Sequence, residues 1–147
     1  MTEAEIRAAL HQRMDDLRIT YQEISLAMYG DTDNTGSICN AMNGKQGFSL
    51  AYLCRMADAL QLDLMAGSDE TGWKIVREKK YWPIWQAADR KQDKNAWTDE
   101  QLAQETGMKL RTLKHWYQFE SDPGLTMLLG FMGKVGVTLT MKEREAA

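Results

Sequence analysis

Two stretches of this chain are versions of one another, and that repeat constrains the fold more than any other feature. A shift of 75 residues pairs Ile38 with Leu113, Leu50 with Leu125, Leu53 with Leu128, Met56 with Phe131, Leu60 with Val135, Leu62 with Val137 and Leu64 with Leu139. Seven apolar pairs therefore share one register over 27 residues, which chance does not readily produce. Nearer the N-terminus the shift becomes 78, pairing Thr20 with Thr98 and Ile24 with Leu102. The first copy thus carries about three extra residues, around Tyr29 to Gly36. A unit of about 65 residues buries only ~60% of the surface its unfolded chain exposes, so mutual packing or dimerisation would help both copies.

Each copy reads as short helices. Thr2-x-x-Glu5 is a capping box, in which hydroxyl and carboxylate each take an otherwise unpaired backbone N–H. Ile6, Leu10, Met14 and Leu17 follow on one helical stripe. Thr20-x-x-Glu23 opens a second helix, with Ile24 and Met28 on its apolar face, and Thr98-x-x-Gln101 opens its counterpart. A third helix is expected from Asn34 to Met42, with its copy from Lys109 to about Phe119. The fourth starts at Ser49 and its copy near Gly124.

The period then changes. Leu60, Leu62 and Leu64, like Val135, Val137, Leu139 and Met141, recur every second residue, as in a strand. Gly67 to Gly72 is polar and turn-rich, and the β-prone run after it predicts a hairpin of Gln61–Met65 with Trp73–Lys79. Pro83 suits the first turn of the next helix, where its missing N–H costs nothing. The expected organisation is an acidic unit at 1–66, a linker with a strand at 67–82, and a second unit with a C-terminal strand at 83–147.

Composition sets the class. With 44% apolar and 27% charged residues, the chain has the makings of a packed core and none of a disordered or collagenous one. No apolar run approaches the ~20 residues of a spanning helix, and the charged start Met1–Arg7 is unlike a secretory signal. Cys39 and Cys54 lack Cys-x-x-Cys spacing and are expected as free thiols used as small apolar groups. A soluble cytoplasmic protein is expected, without membrane association. The net charge of −3 conceals a split: residues 1–72 carry five basic and eleven acidic side chains (−6), residues 73–147 thirteen and ten (+3). Such asymmetry points to a division of labour between the copies.

Catalytic patterns fail on inspection. Gly47-Phe48-Ser49-Leu50-Ala51 lacks the last glycine of a nucleophile elbow, and Ser49 is better read as a helix N-cap. Gly130 to Val135 contains a Gly-Lys pair but neither the earlier glycine nor the Ser/Thr of a phosphate loop. His11 and His115 lie in different copies, and no set of three or four metal ligands converges. No enzyme activity, metal or cofactor is expected. Trp73, Tyr81, Trp82 and Trp85 cluster at the junction, as core material or as the seal between the copies.

The second copy, Trp97-Thr98-Asp99-Glu100-Gln101-Leu102-Ala103-Gln104-Glu105-Thr106-Gly107, then Leu113 and Asp122-Pro123-Gly124-Leu125, resembles the Cro and phage-repressor (XRE-type) helix-turn-helix family. The spacing of Leu102-Ala103, Gly107 and Leu113 matches that family without gaps. The first copy is similar in variant form, through Ile24-Ser25, Gly30, Ile38, Asn43-Gly44 and Phe48-Ser49-Leu50, with two more residues between Gly30 and Ile38. The resemblance covers roughly residues 5–66 and 83–141. It implies a mainly α fold of two tandem lambda-repressor-like helix-turn-helix units, with short β-strands at the junction and the C-terminus.

The resemblance also implies that the third helix of a unit enters the DNA major groove, ~12 Å wide. In the second copy its free face would present Lys109, Arg111, Thr112, Lys114, His115 and Gln118. Arg111 would bond guanine O6 and N7, His115 or Gln118 a neighbouring base edge, and Lys109 and Lys114 phosphates. In the first copy the matching face offers Thr35, Ser37, Asn40, Asn43 and Lys45, amide-rich and suited to adenine edges. Lys74 to Lys94, with seven basic and three acidic residues, would form a backbone-binding arm.

The function so implied is sequence-specific binding of double-stranded DNA by a transcriptional regulator of prokaryotic or phage type. Family members usually bind as dimers to half-sites ~34 Å apart. Either one chain supplies both heads, or a homodimer places one unit of each chain on DNA; the charge split favours the homodimer with its C-terminal units on DNA. Where the family often has Gln at the start of the second helix, this chain has Tyr21 and Asp99, and the longer turn of the first copy holds Asp31 and Asp33. Those acids support a second reading, a protein-binding adaptor or inhibitor on the same scaffold, engaging its partner through the acidic N-terminal unit.

Overall fold

The computed structural model describes residues 1–145, which form eight helices and three strands. In chain order these are α1 (Glu3–Leu17), α2 (Tyr21–Tyr29), α3 (Thr35–Met42), α4 (Leu50–Ala59), β1 (Leu62–Ser68), β2 (Gly72–Ile75), α5 (Trp82–Asn95), α6 (Asp99–Thr106), α7 (Leu110–Tyr117), α8 (Leu125–Lys134) and β3 (Thr138–Glu143). The fold is mainly helical with one small antiparallel sheet. Four helices and a strand occur twice in the same order, and β2 comes between the two sets.

Local chemistry sets the helix starts. Thr2, Thr20 and Thr98 each accept from the backbone N–H three residues on, and Glu5, Glu23 and Gln101 return the bond to the cap. Ser49 accepts from the Tyr52 N–H at 3.1 Å. Pro83 lies in the first turn of α5. Helices α2 and α6 stop at left-handed Gly30 and Gly107, where the backbone turns with φ of 79° and 72°. In the longer first turn, buried Ser25 donates to the Asp31 carbonyl at 2.7 Å and accepts from the Asn34 N–H at 3.2 Å, pinning the extra residues to α2.

The expected hairpin forms, with shifted limits. β1 continues through Ser68 and pairs with β2 from Met65↔Ile75 to Ser68↔Gly72, so part of the expected linker is itself ladder. Leu60 and Val135, which extend the every-second-residue pattern, are the C-caps of α4 and α8 instead of strand residues.

The sheet order is β2-β1-β3, so the last strand of the second copy lies against the first strand of the first. Each copy was expected to be closed by its own strand, but β1 and β3 close on one another. Their register pairs Met65 with Thr140, and 65 and 140 differ by the same 75 residues as the sequence repeat. A second antiparallel pair, Ser49↔Gly124, is also 75 apart. Around it the Leu50 N–H donates to the Pro123 carbonyl and the Leu125 N–H to the Phe48 carbonyl, each at 2.8 Å. Repeat equivalents thus face each other at two places, which is the signature of a local two-fold axis between the copies.

The same exchange extends to the helices. α1 packs on α8 and β3, and α5 packs on β1. The Met1 ammonium donates to Thr138 Oγ1 and to the Leu139 carbonyl, tying the start of α1 to β3. One continuous apolar core results, running from Ile6 and Leu10 through Leu53, Met56 and Ile84 to Phe131 and Leu139. Among the described residues, no helix is long and apolar enough to cross a membrane.

Candidate nucleic-acid interface

Helix α7 is two-sided because its apolar residues fall on one stripe. Leu113 and Trp116 are buried, with Leu110 and Tyr117 half-buried beside them. Trp116 stacks on Trp85 of α5 with ring centroids 6.1 Å apart and meets Phe131 of α8 edge-on at 5.8 Å. Tyr117 meets Trp85 edge-on at 5.0 Å. These aromatic contacts fix the rotation of α7 about its own axis.

That rotation sends the polar residues outward. Lys109, Arg111, Lys114 and Gln118 are exposed, and Thr112 and His115 are half-buried. Arg111, Lys114, His115 and Gln118 recur at three- and four-residue intervals, one face of a helix. Lys109, Arg111 and Lys114 have no carboxylate within 4.0 Å among the described residues, so their charges are uncommitted. His115 is committed: its Nε2 lies 3.3 Å from Glu120 Oε2 just beyond the helix. Glu120 was not among the expected site residues, yet it stands on the same concave surface as Arg111, Lys114 and Gln118.

The opening of α6 is anionic. Asp99 accepts from Gln92 Nε2 at 2.8 Å, which fastens α6 to α5. Burial, and then Asp93 and Asp99 nearby, raise the Asp89 carboxyl above the usual carboxylate range. Burial pushes the Tyr117 phenol up to about 12, and Asp89 and Asp99 act in the same direction. Asp99 in the first turn of α6, with Asp93 and Asp89 of α5 beside it, opposes a phosphate there, whereas the exposed face of α7 favours one.

Helix α3 buries Ile38, Ala41 and Met42 and exposes Ser37 and Asn40, with Thr35 half-buried, and the turn after it exposes Asn43 and Lys45. Gly36 stands where Arg111 stands in α7, 75 residues on, so this face lacks both the guanidinium and any side chain at that point. Asn43 Nδ2 donates to Cys39 Sγ at 3.2 Å. Burial, and then Cys39, raise the Tyr21 phenol, while a hydrogen bond with Asn43 acts the other way. Tyr21 therefore links the start of α2 to α3. In the adjoining turn, Asp31 accepts from the Asp33 N–H at 3.0 Å and from Asn34 Nδ2 at 3.2 Å, so its carboxylate is held within the turn.

The structure thus gathers the second-copy residues on α7 and the first-copy residues on α3 and the turn after it. The stretch Lys74 to Lys94, expected as a backbone-binding arm, comprises the end of β2, a turn and most of α5. Lys74 Nζ sits 5.2 Å from the centre of the Trp82 ring, and Arg77 lies 3.9 Å from Asp63. No protein-family model matches this chain, and no curated protein and no solved structure matches it either.

Proposed function

We propose that this protein binds double-stranded DNA sequence-specifically, as a transcriptional regulator of prokaryotic or phage type built from two tandem helix-turn-helix units. The observation that carries the reading is the uncommitted cationic face of α7, held by a buried aromatic face and paired with α6 in the order and spacing of such a unit. Arg111 would read guanine through two parallel hydrogen bonds, and Gln118 a neighbouring edge. Lys109 and Lys114 would neutralise phosphates. His115, drawn toward Glu120 at 3.3 Å, contributes less than its position suggests.

The repeat equivalents facing each other at Ser49–Gly124 and Met65–Thr140 support the arrangement in which one chain supplies both heads. We favour that arrangement over the homodimer to which the charge split points. α7 is then the strong, cationic head, and α3, with Asn40 and Asn43, the neutral one.

A second reading, a protein-binding adaptor on the same scaffold, draws on Asp89 and Asp93 of α5 together with Asp99 at the opening of α6. Fluorescence anisotropy with mixed duplex DNA, from about 50 to 200 mM salt, separates the two readings. A regulator should lose affinity linearly on logarithmic axes, with a slope near −0.9 per phosphate contact, and Lys114→Ala should remove about one contact. Absence of binding at the lowest salt would leave the adaptor.

A further inference from the structure

The local two-fold relation breaks at the junction. The repeat relates residues 38–64 to 113–139 and leaves out residues 76–81, between the hairpin and α5. Val76, Arg77, Glu78 and Lys80 of this segment lie over α4 and β1 and close a cavity of about 270 Å³. Its floor is Cys54, Ala57, Leu62, Leu64 and Val76, all buried and all apolar in character. Neither α3 nor α7 contributes to it.

The rim is cationic, and most of its cations lack close partners. Arg144 is satisfied, 2.9 Å from Asp58 and 3.2 Å from Asp63. Arg55 is not: its Nε is buried without a hydrogen-bond partner and stands 3.9 Å from Glu78 Oε2. The Arg55 guanidinium is held in place over the rings of Tyr29 and Tyr52, 5.8 Å from each centroid. Arg77 reaches Asp63 only at 3.9 Å, and Lys80 has no carboxylate within 4.0 Å among the described residues. Arg55, Arg77 and Lys80, all loosely held, share the rim with two carboxylates, Glu78 and the Arg144-bound Asp58, above an apolar floor. The Arg55 side chain is otherwise 39% exposed, so an anion at the rim can accept from its remaining guanidinium N–H groups.

We propose that this cavity binds a small organic carboxylate, aromatic or short aliphatic. Its apolar body would rest on Cys54, Leu64 and Val76, and its carboxylate would lie between Arg55, Arg77 and Lys80. A cavity of about 270 Å³ is at the small end of ligand pockets, which suits a ligand the size of benzoate. A phosphate head would occupy much of that space and leave the apolar floor uncovered. The site is independent of the DNA-binding reading.

The test is titration of the ¹⁵N-labelled full chain with benzoate and, separately, with its neutral isostere benzamide, followed through backbone amide shifts. Hexanoate and hexanamide repeat the comparison for an aliphatic body. The expected result is saturable shifts at Cys54, Leu64 and Val76 with at least one of the two acids, at a Kd of about 1 mM or tighter, and binding of its amide at least ~10-fold weaker. The double variant Arg77→Gln, Lys80→Gln alters only exposed side chains and should weaken the acid to the level of the amide without changing the amide. Amides that bind as tightly as acids, acid binding unaltered in the double variant, or no saturable shift with either acid would each overturn the proposal.

Discussion

Tyr81 donates its phenolic proton to Asp122 Oδ1 across 2.7 Å, while Asp122 Oδ2 accepts the Ala51 N–H at 2.8 Å. One carboxylate of the second copy therefore fastens both the junction before α5 and the first turn of α4. Burial, and then the Asp122 carboxylate, hold the Tyr81 phenol well above the usual tyrosine range, so it stays a donor. Tyr81→Phe should lower stability by about 1–2 kcal/mol, because Oδ1 loses its partner in a partly buried site. Asp122→Ala should cost more, about 2–3 kcal/mol, since it also frees an N–H at the start of α4. Urea unfolding reads both, and an unchanged midpoint for Tyr81→Phe would show that the bond contributes nothing.

Gly67 provides a backbone test of the hairpin. Its φ is 154°, and a Cβ there would strike the carbonyl oxygen of Gly72 on the facing strand. Gly67→Ala should therefore cost about 3 kcal/mol or more, because backbone must move to admit a methyl group. Gly72→Ala meets no atom within 4 Å and pays only for its positive φ of 84°, about 1 kcal/mol. Thermal unfolding of the two variants should rank them in that order; equal losses would mean that strain, and not the collision, sets the cost.

The helix starts were legible because capping is local. Thr2, Thr20, Ser49 and Thr98 act within three residues of themselves, and Pro83 on its own turn. The partner of β1 was not legible. A period of two marks a strand but says nothing about a neighbour 75 residues away, so the Met65↔Thr140 pairing emerges only in three dimensions. Leu60 and Val135 misled for a related reason: a buried helix C-cap followed by a strand continues the alternation. At the site, the free face of α7 was indicated by the resemblance to the helix-turn-helix family. The Asp89–Asp93–Asp99 corner depends on how α5 meets α6, and the His115–Glu120 contact on a turn after the helix, so neither was visible in the spacing.

If α7 and α3 are the two heads of one chain, their chemistries divide the operator. Arg111→Ala should cost about 1–3 kcal/mol at a guanine of one half-site and leave preferences at the other unchanged. Asn40→Ala should relax an adenine in the opposite half-site only. Binding selections from a randomised duplex, run with the parent and both variants, would show this as an asymmetric bipartite motif with half-sites about one helical turn apart. A perfect palindrome would instead favour a homodimer using the same head twice.

The cysteines should part company above neutral pH. Burial, and then Asp122 and Glu78, push the Cys54 thiol up to about 12 against an ordinary 9.0, with Arg77 acting the other way. A thiol whose pKa is higher folded than unfolded keeps its proton in the native state while the unfolded chain loses it. Its stabilising contribution is therefore complete below about pH 9 and lost as pH rises toward 12, at about 1.4 kcal/mol per pH unit. Tyr117, pushed from 10.0 up to about 12, acts in the same sense. Urea midpoints should fall steeply above pH 9, and Cys54→Ala should flatten that fall. At pH 8, iodoacetamide should label half-buried Cys39 and spare buried Cys54 until urea is added. Intact mass should show one adduct before urea and two after; two adducts on the native protein would mean that the cavity admits the reagent and that the Cys54 thiol ionises well below 12.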